Sequence, residues 1–407
     1  MERADVVVIG AGHAGLAIAQ CLSQHGVVPA ILERAQVAQT WRDERWDSFT
    51  LVTPNWMVQL PGWDASPGPA DGFLTRDQTV AWLERYRDFV KPDLRCGVDV
   101  QGLEPAVGGG FRLETSGGEL HAREVVVAAG PFQRPSIPEL ATQLPRDVFQ
   151  LHAGAYRNPA QLPPGRVLVV GSGQSGAQIA DELLRSGREV DLSLGRSGRF
   201  PRRYRGRDGM AWVQAQGAYD RTVATLPGGK PPREGSPHVT GIRGGEHLFL
   251  RALVQRGLGL RGALKGCSGM RLVFSEDVPD RVQRADAWAD DFERRVDAYI
   301  RTEGIDAPPP DAAPERTPIL PTDARANAHD FSAIVWATGF RTAFPWLHLP
   351  VFDDAGQPRH RRGVTSVPGL YFLGLPWLWT MKSGLIFGIR EDARALAEHI
   401  ANRLHAP

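Results

Sequence analysis

The sequence predicts an α/β fold of two doubly wound units, the second inserted in a discontinuous first, and three observations lead there. The run Gly10-Ala11-Gly12-His13-Ala14-Gly15 follows the apolar stretch Val6 to Ile9. A second run, Gly171-Ser172-Gly173-Gln174-Ser175-Gly176, follows Val167 to Val170 about 160 residues later. Each precedes a segment of helical spacing, the strand-turn-helix context that separates a dinucleotide cradle from an ordinary glycine turn. In such a cradle the first glycine permits the tight turn and the second lets the backbone approach a pyrophosphate. The third allows close helix-strand packing, with the helix N-terminus facing the negative charge. The third observation is that strand-like segments return at 333–336 and 370–373, after the second unit. Residues 1–155 and 326–407 are therefore expected to form the first domain, and 156–325 the second.

The elements follow in order. Strand Asp5 to Ile9, a helix from about His13 to Gln24 and strand Pro29 to Leu32 make the first βαβ unit. Short strands Phe111 to Thr115 and Glu124 to Ala129, separated by the Ser116-Gly117-Gly118 turn, extend that sheet. Prolines from Pro131 to Pro164 mark a crossover between the domains. Strand Val167 to Val170, helix Ser175 to Leu184 and strand Val190 to Leu194 repeat the opening pattern. Val282, Trp288, Phe292, Val296 and Tyr299 have helical spacing, and Pro308-Pro309-Pro310 reads as a linker. The closing segment, about Ser383 to Leu404, reads as a long helix.

Composition narrows the function classes. With 407 residues and a formal net charge of +1, the chain has no global field favouring nucleic acid or an anionic membrane. Its three cysteines, Cys21, Cys96 and Cys267, form no CxxC pair, which argues against a dithiol centre or a zinc ribbon. No metal site is expected. No run approaches a membrane span, no basic cluster precedes the N-terminal apolar stretch, and cysteine usage fits a reducing cytoplasm.

The two strand ends differ chemically. Glu33 lies 23 positions after Gly10, near the spacing at which a carboxylate accepts hydrogen bonds from ribose hydroxyls. The second unit's strand ends at Leu194-Gly195-Arg196, with no acid between Leu192 and Arg207. A guanidinium there suits a 2′-phosphate, which favours NADPH over NADH. Six of the twelve residues from Arg196 to Arg207 are arginine, a local anion site whose alternatives are a solvated basic loop or a nucleic-acid patch.

Taken with Thr40-Trp41-Arg42 and Ala337-Thr338-Gly339-Phe340, the paired fingerprints resemble those of the flavin-containing monooxygenases over nearly the whole chain. Trp46-Asp47-Ser48-Phe49, Thr53-Pro54-Asn55-Trp56, Gln150-Leu151-His152 and Pro201 to Asp208 look like a bacterial subfamily often encoded beside a nitrilase. One departure stands in the linker before the second fingerprint. His152 and Tyr156 match the family pattern, whereas Arg146 and Val148 replace its Phe and Gly.

The resemblance implies FAD on the first fingerprint, at Gly10, Gly12, His13, Ala14 and Gly15. It adds Glu33 at the ribose, Arg34 and Val100 near the adenine, and Thr40 and Trp41 on the flavin side. Gly374, Leu375, Ser383 and Gly384 would form a second flavin-contacting turn, the alternative being an ordinary strand-turn-helix. NADPH would take Gly171, Gly173, Gln174, Ser175 and Arg196, with Thr338 at the domain crossing. Asn55 aligns with an asparagine over the flavin and is the candidate catalytic residue, its alternative being a Pro-Asn turn. Trp41, Trp46, Phe49, Trp56 and Trp63 crowd the same segment, either as cofactor wall or as core. His152 and Tyr156 would touch NADP or serve as hinge residues.

The implied activity is an FAD- and NADPH-dependent monooxygenase that forms a C4a-hydroperoxyflavin and passes one oxygen of O2 to a small organic substrate. A peroxide-releasing NADPH oxidase and a non-catalytic flavin redox sensor are the alternatives. Residues 201–330 and Pro376-Trp377-Leu378-Trp379 are expected to shape the substrate pocket, and the oligomeric state stays open, a homodimer being one outcome.

Overall fold

The computed structural model describes residues 2–231, 236–312 and 315–406. The first sheet is assembled from β1 (Glu2–Ile9), β2 (Ala30–Glu33), β3 (Asp93–Cys96), β4 (Val100–Pro105), β5 (Phe111–Thr115) and β6 (Gly118–Val127). Helix α1 (His13–Ser23) joins β1 to β2, and α2 (Arg76–Val90) precedes β3. The order is β3-β2-β1-β6-β5-β4, parallel from β3 to β6 and antiparallel beyond.

The second sheet comprises β7 (Phe149–His152), β8 (Val167–Val170), β9 (Val190–Ser193), β10 (Gly259–Arg261) and β11 (Ala333–Trp336). It is fully parallel in the order β10-β9-β8-β11-β7, with α3 (Gln174–Arg185) crossing from β8 to β9. Every residue of β8 and β11 is buried, as expected of parallel strands covered on both faces. Helix α4 (Val278–Glu303) follows. The chain returns with β12 (Leu370–Phe372), which pairs parallel to the last three residues of β6, and ends in α5 (Ile389–His405), packed against α1.

Four expectations change. Strand β11 joins the second sheet, not the first, and β7 does so ahead of residue 155. An apolar strand buried on both faces carries no mark of which sheet it completes, and only β12 makes the expected return. The last helix begins at Ile389, because Ser383 Oγ accepts the Trp379 and Thr380 amides and ties that stretch into a turn. Helix α2 and strand β3 were not anticipated. The Thr75/Gln78 capping box that starts α2 was the available signal.

Both glycine turns have one construction. Gly10 has φ +108°, and a Cβ there would lie 2.8 Å from Ala128 O. Gly171 has φ +102°, and its Cβ would lie 2.5 Å from Ala337 O. A Cβ on Gly15 or Gly176 would overlap the carbonyl oxygen of Gly10 or Gly171, so α1 and α3 can sit this close only without a side chain. The middle glycine differs, since nothing lies within 4 Å of a Cβ on Gly12. Gly15→Ala should therefore destabilise the flavin-free protein by about 2 kcal/mol or more in denaturant unfolding. Gly12→Ala should leave that stability within about 0.5 kcal/mol and weaken only nucleotide retention.

Candidate functional site

A single cleft of about 760 Å³ reaches both glycine loops. From the first unit it takes Gly10, Gly12, His13, Ala14, Glu33, Arg34, Thr40, Trp41 and Val100, and from the later return Gly374 and Gly384. The second unit adds Gly171, Gly173, Gln174, Ser175, Arg196 and Thr338. Most residues singled out from the sequence thus converge on one space. Gly15, Leu375 and Ser383 lie behind its wall, as a packing glycine, a core side chain and a buried turn hydroxyl.

The walls suit dinucleotides. Helices α1 and α3 begin at Gly12 and Gly173, neither with a side-chain cap, so their first amides are left for an anion. Gly374, with φ +80°, packs against Ala14, since a Cβ there would lie 2.8 Å from that methyl. Glu33 accepts Ala11 N–H at 2.9 Å and Ala35 N–H at 3.0 Å, so its carboxylate spans the glycine turn and the end of β2. At the second loop the brace is neutral, with Gly195 N–H donating to Ser172 Oγ at 2.9 Å. Arg196 follows, exposed and without an ion pair among the described residues. The two loops therefore present opposite charge at equivalent strand ends.

The expected arginine cluster mostly turns inward. Arg199 faces Asp286, Asp290 and Glu293 across α4, while fully buried Arg202 pairs with Asp208 and donates to Val52 O at 2.6 Å. Arg205 meets Asp297, and Arg207 lies over the Trp212 ring. Acids on α4 and nearby Asp208 take up the charge of Arg199, Arg202 and Arg205, and Arg196 is the one member of the cluster lining the cleft.

Asn55 is not on the cleft wall. It is buried at the start of a short 3-10 turn, its Nδ2 donates to Pro69 O at 2.9 Å, and Gly68 and Gly72 pack against that amide. Local turn closure has taken Nδ2, while the buried Oδ1 has no partner among the described residues. Of the aromatics, Trp41 and Phe49 reach the cleft, Trp46 packs edge-on to Phe49, Trp56 meets Phe387, and Trp63 joins Trp82 and Tyr86. His152 lines the cleft, and its Nε2 donates to Gly339 O at 2.9 Å. Tyr156 is fully buried and donates to Glu182 instead. Residues 376–379 are absent from the wall, and of 201–330 only Ser236 contributes among the described residues.

Sequence reasoning missed Arg45, Phe132, Gln133 and Ser197 in the wall, and His238 behind it. His238 is almost fully buried and donates from Nε2 to Ser172 O at 2.7 Å. Burial pulls its imidazole down to about 4, as it does that of His13, whose Nε2 is a buried atom without a partner in the cleft wall. No group of three metal-ligating side chains occurs among the described residues, and no helix there is long and apolar enough to cross a membrane.

Known proteins share this arrangement. Residues 7–211 match the pyridine nucleotide-disulphide oxidoreductase family. The chain is 34% identical over 404 residues to an uncharacterized CzcO-like oxidoreductase of Geobacillus kaustophilus, covering 98% of each. It is 28% identical to the indole-3-pyruvate monooxygenase YUCCA1 of Oryza sativa subsp. japonica, covering 97% of this chain and 90% of that one. The chain belongs to the flavin-containing monooxygenase family. A flavin-containing monooxygenase from Stenotrophomonas maltophilia has the same fold, with TM-score 0.68 at 22% identity and 99% of both chains covered. Like its family, this flavin-containing monooxygenase is an oxidoreductase that uses FAD and NADPH. The three cysteines are free and lie in different elements, so the dithiol chemistry in the broader family's name has no counterpart among the described residues.

Two measurements follow from these side chains. A histidine with a depressed folded pKa lets the unfolded chain bind more protons, so its share of stability is complete above about pH 6.5 and lost as pH falls towards 4. His238→Gln should flatten the denaturant-stability profile across that window by up to about 3 kcal/mol. Asn55→Ala should cost about 1 kcal/mol of stability by removing its hydrogen bond to Pro69 O, which keeps the Gly72 amide as a donor. Substrate oxidation per NADPH in the folded Asn55 variant should stay near the wild-type ratio.

Proposed function

We propose that this flavin-containing monooxygenase transfers one oxygen atom of O2 to nitrogen, sulfur or carbon of a small organic molecule, with FAD on the first glycine loop and NADPH on the second. The observation behind this reading is the continuous cleft between two like-built loops whose strand ends differ, Glu33 at one and Arg196 at the other. When bound, the flavin supplies the difficult chemistry, accepting hydride from NADPH and activating O2 at C4a.

The chain's own residues hold and shield. Amides at Gly12 to Ala14 and Gly173 to Ser175 meet pyrophosphates, Glu33 meets the FAD ribose, and the Arg196 guanidinium meets the 2′-phosphate. Trp41, Phe49, Phe132 and Phe340 give the cleft an apolar stretch of wall that excludes water from the reacting centre. No side-chain acid or base is needed for the oxygen transfer itself. Amines, sulfides, ketones and 2-oxo acids are the substrates to screen, the last because of the activity in the rice relative's name.

A second reading, an NADPH oxidase that releases hydrogen peroxide, draws support from Asn55 lying outside the cleft. Mixing NADPH-reduced, NADP-bound protein with O2 while recording flavin absorbance and peroxide separates the two. The monooxygenase reading expects a transient oxygenated-flavin spectrum and, with substrate, less than one peroxide per NADPH. Immediate reoxidation with stoichiometric peroxide for every substrate class would overturn it. Arg196→Ala should raise the KM for NADPH about tenfold and leave that for NADH within about twofold, in steady-state flavin reduction.

A further inference from the structure

We propose that Arg45 is the recognition site for a carboxylate on the substrate, an inference that rests on the monooxygenase reading of the cleft. Arg45 is half-buried in the cleft wall, with its guanidinium carbon 5.4 Å from the Trp41 ring centre and 5.7 Å from those of Phe49 and Phe132. Nη1 donates to Glu44 O at 2.7 Å, and no carboxylate forms an ion pair with Arg45 among the described residues. The neighbouring Glu44 carboxyl forms no ion pair among the described residues; burial pushes its pKa up, while the charges of Arg45, Arg34 and Arg157 oppose that rise.

Half-buried Arg157 and Arg188 are held by several backbone carbonyls each, and four other arginines have acids. Arg199, Arg202, Arg251 and Arg261 each meet an aspartate. A guanidinium drawn into an aromatic wall without a direct ion pair carries a desolvation cost that the Glu44 charge opposes and a ligand anion would offset further. Its planar fork fits the two oxygens of a carboxylate or a phosphate.

The nucleotide phosphates have other partners in the same cleft. The uncapped N-termini of α1 and α3 suit the two pyrophosphates, and Arg34 and Arg196 stand at the ends of β2 and β9. The wall acids Glu33 and Asp99 form no ion pair with Arg45, and Glu33 is committed to the amides of Ala11 and Ala35. Arg45 is thus the cleft arginine left over once the dinucleotides are matched, and it stands against the aromatic side chains Trp41, Phe49 and Phe132.

The test is equilibrium binding to FAD-loaded protein without NADPH, read from flavin absorbance and tryptophan fluorescence. The probes are phenylacetate, 3-phenylpropionate and phenylpyruvate, each against its methyl ester. At least one acid should bind wild type about tenfold or more tightly than its ester, with the ratio falling to about one in Arg45→Met. In Arg45→Lys, which keeps the charge and removes the planar fork, the ratio should fall about threefold or more. Equal binding of acid and ester for all three pairs overturns the proposal. An unchanged ratio in Arg45→Lys overturns it too, even if Arg45→Met fails to load FAD. Acid preference kept in Arg45→Met, with weakened NADPH or FAD binding, assigns Arg45 to a cofactor phosphate and overturns it as well. Loss of the monooxygenase reading would show separately, as stoichiometric peroxide from wild type.

Discussion

Each half of the molecule depends on one close approach, the third glycine of a fingerprint lying against the carbonyl of the first. At Gly15 and Gly176 there is no room for a side chain, and this lets α1 and α3 start directly over the ends of β1 and β8. Because the helices start there, their uncapped amides point into the space between the sheets. The carbonyls of Ala128 and Ala337 close the other side of each turn against Gly10 and Gly171. The cleft is therefore a consequence of backbone contact, and its side chains decide only what enters it.

Charge is sorted on that common frame by small differences. A carboxylate braces the first turn and a serine hydroxyl the second, so the anionic and cationic strand ends follow from Glu33 and Ser172 as much as from Arg196. The arginines after residue 196 carry out a different task. Arg199 and Arg205 fasten the segment to α4, since Asp286, Asp290, Glu293 and Asp297 all sit on that helix, while Arg202 closes on nearby Asp208. Buried in this way, each pair secures position more than stability.

Local signals were legible in the sequence and distant pairings were not. The glycine turns, Glu33, Arg196 and most of the cleft wall around them could be named because a strand, a turn and a helix leave marks within about 30 residues. Strand β11 could be recognised as a strand but not assigned to a sheet, because its four buried residues are compatible with either. Asn55 lies off the cleft wall for a related reason. Its partner, Pro69 O, is set by a turn that no spacing rule reveals. Arg45 gave no signal, since its place among Trp41, Phe49 and Phe132 is a property of three-dimensional neighbours.

Strand β6 has two kinds of neighbour on one edge, β5 along its first half and β12 along its last three residues. Between Val127 and Leu370 the whole second unit intervenes. During synthesis the N-terminal sheet must therefore wait with an unpaired edge until residues 370–372 emerge, by which time the inserted unit can already be folded. Such late, long-range closure slows folding and leaves a strand open to other chains. A chain that stops short of β12 keeps both glycine loops yet exposes that edge, so the burden of the last residues falls on solubility during biogenesis.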